Sequence, residues 1–293
     1  RLGQGVAAAG DELVRIDAPT DASVSVHRDW LLIELRSDWH TGRADYRAGS
    51  LLATDYETFL NGGVESPADL TVVFEPDDHT CLHQYAWTRD RLVMVTLADV
   101  ASRVEIVTPG SWTREPVPDS PGRSASALGS DSAGRSAPGL RTTVIVATDD
   151  KGDEIFLDTS GFLTPSTLLH GSAGGELTPI KQAPAFFDTT GLSVSQHFAT
   201  SDDGTKVPYF VVGREGSHEP GPTLLSGYGG FEVAQTPGYA GVLGRLWLSR
   251  GGTYVLANIR GGGEYGPGWH TQAVRAGRHK VAEDFAAVAR DLV

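Results

Sequence analysis

Gly261 to Gly266 reads GGGEYG, a G-x-G-x-x-G pattern set directly after the apolar run YVLANI. Glycines at that spacing let backbone N–H groups approach a pyrophosphate, and an acid about 20 residues further on would hold a ribose hydroxyl. Asp284 stands 18 residues beyond Gly266. Two features argue against dinucleotide binding, and so against a nucleotide-dependent oxidoreductase. Pro267-Gly268 follows the glycines where a helix should already run, and Asp284 falls on a predicted helix instead of at the end of the second strand.

A serine nucleophile on a strand-to-helix elbow requires G-x-S-x-G, which exposes the hydroxyl on a sharp turn. No serine of the chain sits in that pentapeptide. Ser124 (GRSAS) and Ser136 (GRSAP) come closest, but both lack the final glycine and have no strand before them. His79, Cys81 and His83 alternate, so a strand would turn all three to one face, with Asp77 and Asp78 close by. Zinc accepts such ligands, yet structural sites take about four of them and these aspartates lie in an apparent turn. The expectation is no metal and no cofactor.

The elements that must position any chemistry are mostly strands. DWLLIEL (Asp29 to Leu35), LTVVFE (Leu70 to Glu75), RLVMVTL (Arg91 to Leu97) and SRVEIVTP (Ser102 to Pro109) are rich in aliphatic and β-branched residues. Turn-formers separate them: Asn61-Gly62-Gly63, Pro76-Asp77-Asp78 and Thr88-Arg89-Asp90. The one helix expected among them is short, at Thr54–Leu60. Even spacing of this kind predicts a sandwich, barrel or propeller, and no fixed repeat chooses between them. Residues 117–141 are rich in Ser, Gly, Ala and Pro and read as a flexible surface loop. Strands resume with TTVIVAT (Thr142 to Thr148) and EIFLDTSGFLTPSTLLH (Glu154 to His170).

Near Asp188 the pattern changes. His197 to Gly213 predicts a hairpin around Asp203-Gly204. Thr223 to Phe231 and Gly252 to Gly266 each read as a buried strand running into glycines. Val281, Phe285, Val288 and Leu292 share one helical face. Strand, helical segment, strand, helix is the signature of an α/β layer.

Composition limits the partners. Apolar residues make up 40% of the 293 and charged residues 21%, as in an ordinary globular chain. The 36 glycines, nearly twice the usual share of about 7%, leave little room for long helices. A net charge of −13 disfavours nucleic acid, whose binding rests on cations that neutralise phosphates. No basic amphipathic stretch favours a membrane surface and no apolar run reaches a membrane span. The single cysteine, Cys81, forms no intrachain disulfide and suits a reducing, cytoplasmic location. The start, RLGQGVAAAGDELVR, has no apolar signal core and no initiating methionine, Met94 being the only one, which suggests a piece of a longer polypeptide.

As a set, SGYGGF (Ser226 to Phe231), ANIRGGGEYGPGWH (Ala257 to His270) and EDFAAVARDLV (Glu283 to Val293) resemble the prolyl oligopeptidase family of serine peptidases. The likeness is dense from Thr223 onward and looser upstream, in SQHFATSDDGTKVPYFVV and TSGFLTPSTLLH. It implies a mixed β and α/β fold: the later blades of a β-propeller over residues 1–187, then the N-terminal part of an α/β-hydrolase domain over 188–293. Tyr228 falls on the family's oxyanion-hole tyrosine, and Phe231 on an aromatic that lines the pocket for a proline ring. Arg260, Glu264 and Tyr265 would fix the loop beside the cleft without chemistry of their own.

The family's nucleophile segment follows the helix at Glu283–Val293, and its catalytic Asp and His come later still, so the triad is expected outside this chain. The sheet would then be left with an exposed edge. The implied activity is hydrolysis of short peptides after proline, with a propeller that admits only small substrates and with no cofactor. A rival reading is a catalytically inactive, propeller-derived binding module, supported by the absent triad.

Overall fold

Short runs of aliphatic and β-branched residues between turn-formers build most of the nineteen strands, and four α-helices join them, among the residues that the computed structural model describes: 16, 18–42, 44–62, 70–117, 135–136, 140–216 and 221–293. The chain forms two compact units, residues 1–74 and 75–293.

In the first unit, β1 (Ser23–His27), β2 (Trp30–Glu34), β5 (Leu51–Asp55) and β6 (Thr71–Phe74) form an antiparallel sheet in that order. A small ribbon, β3 (Trp39–His40) with β4 (Asp45–Tyr46), lies between β2 and β5 in sequence. Helix α1 (Tyr56–Gly62) begins two residues after the predicted start, because Thr54 and Asp55 complete β5. The Asp55 carboxylate accepts the Thr58 N–H at 2.7 Å, which satisfies an otherwise unpaired donor of the first turn. Leu31, Ile33, Leu52, Phe59 and Leu70 close the core of this unit.

The second unit holds three sheets. The first is antiparallel, with β7 (Thr80–Trp87), β8 (Leu92–Ala98), β9 (Ala101–Thr108) and β10 (Thr113–Pro116) in sequence order. The next repeats that meander with β12 (Thr142–Thr148), β13 (Glu154–Gly161), β14 (Thr164–Ser172) and β15 (Thr178–Gln182). Period-two alternation turns Ile155 and Leu157 of β13 inward to meet Val93, Val95 and Ile106, so the two meanders share one core. Most of the glycine- and serine-rich segment 117–141 lies outside the described residues. Within it, β11 (Arg135–Ser136) pairs with the third sheet.

That third sheet is mixed, in the order β11, β16 (Leu192–Thr200), β17 (Lys206–Arg214), β19 (Thr253–Ala257), β18 (Thr223–Gly227). The β16–β17 hairpin turns at Asp203-Gly204 as predicted, with Gly204 at φ 87°. Both faces are covered. Val207 and Tyr209 of β17 and Val255 and Ala257 of β19 face α4 (His279–Asp291), whose Val281, Phe285 and Val288, with Leu292 at its C-cap, form the predicted apolar stripe. Phe210, Val212 and Leu256 point the other way, onto Val100, Phe162 and Leu248. Fully burying one such side chain contributes about 1.5–3 kcal/mol, so the helix and the sheet stabilise each other. Asp188, where the sequence changes character, lies inside the second unit, and Phe162 and Val100 tie the two kinds of sheet together. No described helix is long and apolar enough to cross a membrane.

Candidate active site

Strands β18 and β19 are the parallel pair of the mixed sheet, and β18 is its edge. A glycine-rich loop leaves the carboxyl end of each. Open sheets of this kind bind ligands at the carboxyl ends of parallel strands, where loops diverge and backbone groups are free to point outward. The first loop is Gly227–Glu232 and the second runs from Asn258 into α3 (Pro267–Thr271).

The two loops meet backbone to backbone. A β-carbon on Gly229 would collide with the Arg260 carbonyl oxygen, and one on Gly261 would lie 2.6 Å from the Gly229 oxygen. Gly261 also sits at φ 96°, in the left-handed region that side chains disfavour. The Gly261 carbonyl accepts the Glu232 N–H at 3.2 Å and, with the His270 proton on Nδ1, that ring nitrogen at 2.7 Å. Arg278 donates to the Gly229 carbonyl.

Tyr228 follows β18 directly, 44% exposed. With Gly227, Gly229, Ile259, Arg278, Val281, Ala282 and Phe285 it lines an open cavity of about 430 Å³ along the sheet edge. Phe231 lies on the same loop but is 86% exposed and does not line the cavity. It holds φ 53° and its neighbour Glu232 φ 58°, two successive left-handed residues that carry side chains.

Arg260 is fully buried and anchors the second loop. Its Nε and Nη2 donate to the two Asp284 oxygens at 2.9 and 2.6 Å, and its Nη1 and Nη2 donate to Asp203 of the β16–β17 turn. Asp284 accepts two further bonds, from the Arg260 N–H at 2.9 Å and the Ser201 hydroxyl at 2.6 Å. The Arg260 hydrogen bonds hold the Asp203 carboxyl well below the ordinary carboxylate range. For Arg260, burial opposes the charge, but the bonds to Asp284 and Asp203 outweigh it and the pKa is raised. Loop, helix and hairpin are thus joined at one guanidinium.

The rest of the loop is also tied down. Glu264 is buried, and its Oε1 accepts the Gln235 N–H at 2.9 Å and the Asn258 Nδ2–H at 3.3 Å. Burial pushes its carboxyl up to about 7. The Cys81 thiol donates to the Glu264 carbonyl at 3.2 Å, and burial raises that thiol to about 12. Tyr265 donates to Asp99 at 3.1 Å and meets Trp269 edge to face at 4.9 Å. Asn258, Gln235 and Cys81 were not singled out as loop partners from sequence. Asn258 alone carried a signal, as a polar residue closing an apolar strand.

These contacts bear on two of the sequence alternatives. No helix begins within the glycine motif, as expected; the short α3 starts just after it, with Pro267 at its first position. Asp284 lies on α4, buried and committed to Arg260, and is closed to a ribose. In β7 a bulge between Leu82 and Gln84 breaks the alternation that would have put His79, Cys81 and His83 on one face. Among the described residues no group of three or more His, Cys, Asp or Glu is placed to hold a metal.

Comparison with known proteins agrees with this architecture. A model described as the prolyl oligopeptidase family matches residues 244–293. The Uncharacterized peptidase y4nA of Sinorhizobium fredii (strain NBRC 101917 / NGR234) is 37% identical over 289 residues, covering 96% of this chain and 37% of the relative. A prolyl endopeptidase of Elizabethkingia miricola is 34% identical over 137 residues, or 46% of this chain and 19% of the relative. A post-proline cleaving enzyme from Rickettsia typhi superposes with a TM-score of 0.79 at 29% identity, over 94% of this chain and 38% of that one. The chain therefore spans about 37% of the length of the relatives it matches from end to end. Its many strands and few helices match prolyl oligopeptidase structures. Sequence and fold together place the chain in the prolyl oligopeptidase family.

Proposed function

We propose that the full-length protein is a serine peptidase that hydrolyses short peptides on the carboxyl side of proline. The observation that carries this reading is the position of Tyr228: a phenol at the carboxyl end of the edge strand, beside an open cavity. Residues 1–187 serve as propeller blades and 188–293 open the hydrolase domain. The nucleophile, its histidine and its aspartate come from polypeptide outside these 293 residues.

The serine hydroxyl attacks the scissile carbonyl while histidine takes its proton. The carbonyl oxygen becomes an oxyanion that accepts hydrogen bonds from the Tyr228 phenol and one backbone N–H. Collapse expels the amine, protonated by the histidine, and water then releases the acyl group. Phe231 supplies an apolar wall for the proline ring. The Arg260 anchor and the Gly229–Gly261 contact fix Tyr228 in place before substrate arrives, which is how such a donor favours the transition state over the ground state.

The similarity to a post-proline cleaving enzyme supports the specificity, and family membership supports the reaction class. The test is the cut site. The full-length protein is incubated with short peptides carrying one internal proline, and the products are weighed by mass spectrometry. Cleavage after proline is expected. Intact peptides would overturn the reading and favour the inactive binding module.

A further inference from the structure

We propose that Glu264 and Asn258 clamp the backbone of Gln235 and so fix the loop that carries Phe231, which makes Glu264 a positioning residue for specificity. The role in specificity rests on the peptidase reading above; the clamp itself rests on geometry alone.

Residues 233–240 form no helix or strand, so no regular ladder fixes their backbone. Gln235 is held instead by side chains. Its N–H donates to Glu264 Oε1 at 2.9 Å, and its carbonyl accepts from Asn258 Nδ2 at 2.6 Å. Asn258 Nδ2 also donates to the same Glu264 oxygen at 3.3 Å, which locks the two side chains to each other. Donor and acceptor of one residue are thus paired as a neighbouring strand would pair them. Both clamping residues are fully buried, so water does not compete for these bonds.

What the clamp holds is strained. Phe231 and Glu232 both lie at positive φ, a state that persists only where its surroundings dictate it. The second loop dictates it at two points. Gly261 receives the Glu232 N–H, and the Glu232 carbonyl presses so close to Gly263 that no side chain would fit there. Glu264, the next residue, reaches past this contact to Gln235. Phe231 is 86% exposed, so its place is set chiefly by the backbone on either side of it.

The experiment uses the full-length protein with Glu264→Leu, Glu264→Gln and Asn258→Ala. One readout is amide hydrogen exchange over residues 232–236, which needs no activity. The other is the ratio of kcat/KM for matched peptides with proline or alanine before the scissile bond. One lost buried hydrogen bond corresponds to roughly a tenfold change, so Glu264→Leu is expected to speed exchange and lower the ratio by about tenfold each. Glu264→Gln, which keeps an acceptor oxygen, should restore both to within about threefold of wild type, less than the loss of one such bond. Asn258→Ala should shift both in the direction of Glu264→Leu and carries the test if that variant does not fold.

Unchanged exchange over 232–236 in Glu264→Leu or Asn258→Ala overturns the clamp. Faster exchange with an unchanged ratio overturns the role in specificity. A wild type that cleaves neither peptide overturns the peptidase reading and this role with it, while exchange still reports on the clamp.

Discussion

Arg260 and Asp284 face each other with neither side chain exposed, joined through two parallel hydrogen bonds of 2.9 and 2.6 Å. Asp284 also accepts the backbone N–H of Arg260, so the loop that carries the glycines is tied to α4 at side chain and main chain together. Replacing a buried pair by apolar groups is often neutral, but removing Asp284 strips the buried guanidinium of its fully buried partner and leaves it only the part-exposed Asp203. Asp284→Ala should therefore destabilise the protein by about 3–5 kcal/mol, read as a lower urea midpoint. A loss below about 1 kcal/mol would mean that the guanidinium reaches water and that the pair is a surface one.

Glu264 titrates in the opposite sense from an ordinary ion-paired carboxylate. Its folded pKa is about 7 against 4.5 when free, so between these values the folded state binds more protons than the unfolded state. Stability is then full below pH 4.5 and falls as the pH rises toward 7, by on the order of 3 kcal/mol. Unfolding of the wild type and of Glu264→Gln across pH 4.5 to 8 isolates this contribution. Glu264→Gln should show a flatter profile and gain on the wild type as the pH rises. Parallel profiles would mean that Glu264 remains an ordinary ionised carboxylate.

At Gly261 the backbone geometry admits no side chain. Gly261→Ala would place a β-carbon 2.6 Å from the Gly229 oxygen at φ 96°. The strained conformation alone costs about 1–3 kcal/mol, and the clash adds to it. A clear fall in melting temperature is expected, together with lower activity, because Tyr228 adjoins the displaced Gly229. A variant of unchanged stability would show that the loops are farther apart than this geometry requires.

Much of this arrangement was legible in the sequence, where local signals are strong. The Asp203-Gly204 hairpin, the β12 strand and the Val281–Leu292 stripe follow from turn chemistry and periodicity, and each forms as expected. The glycine runs marked the two loops, because close backbone approach demands glycine. What escaped was set by contacts distant in sequence. Asp99-Val100 turns β8 into β9 with a valine at φ 68°, a conformation no composition rule assigns to valine. The bulge at His83 depends on register with β8. The clamp on Gln235 joins residues 235, 258 and 264, whose approach only the folded loops create. The short helix α3, which starts at Pro267 just past the glycines, had no apolar periodicity to announce it.

Under the proposed function, Tyr228 stabilises an oxyanion during peptide hydrolysis. The most direct test is steady-state kinetics of full-length Tyr228→Phe on a short proline peptide, a change that removes one hydroxyl and leaves the ring in place. Losing a single oxyanion donor lowers kcat by about 10²–10³-fold, and KM should stay near its wild-type value. An unchanged kcat would contradict the account at its core.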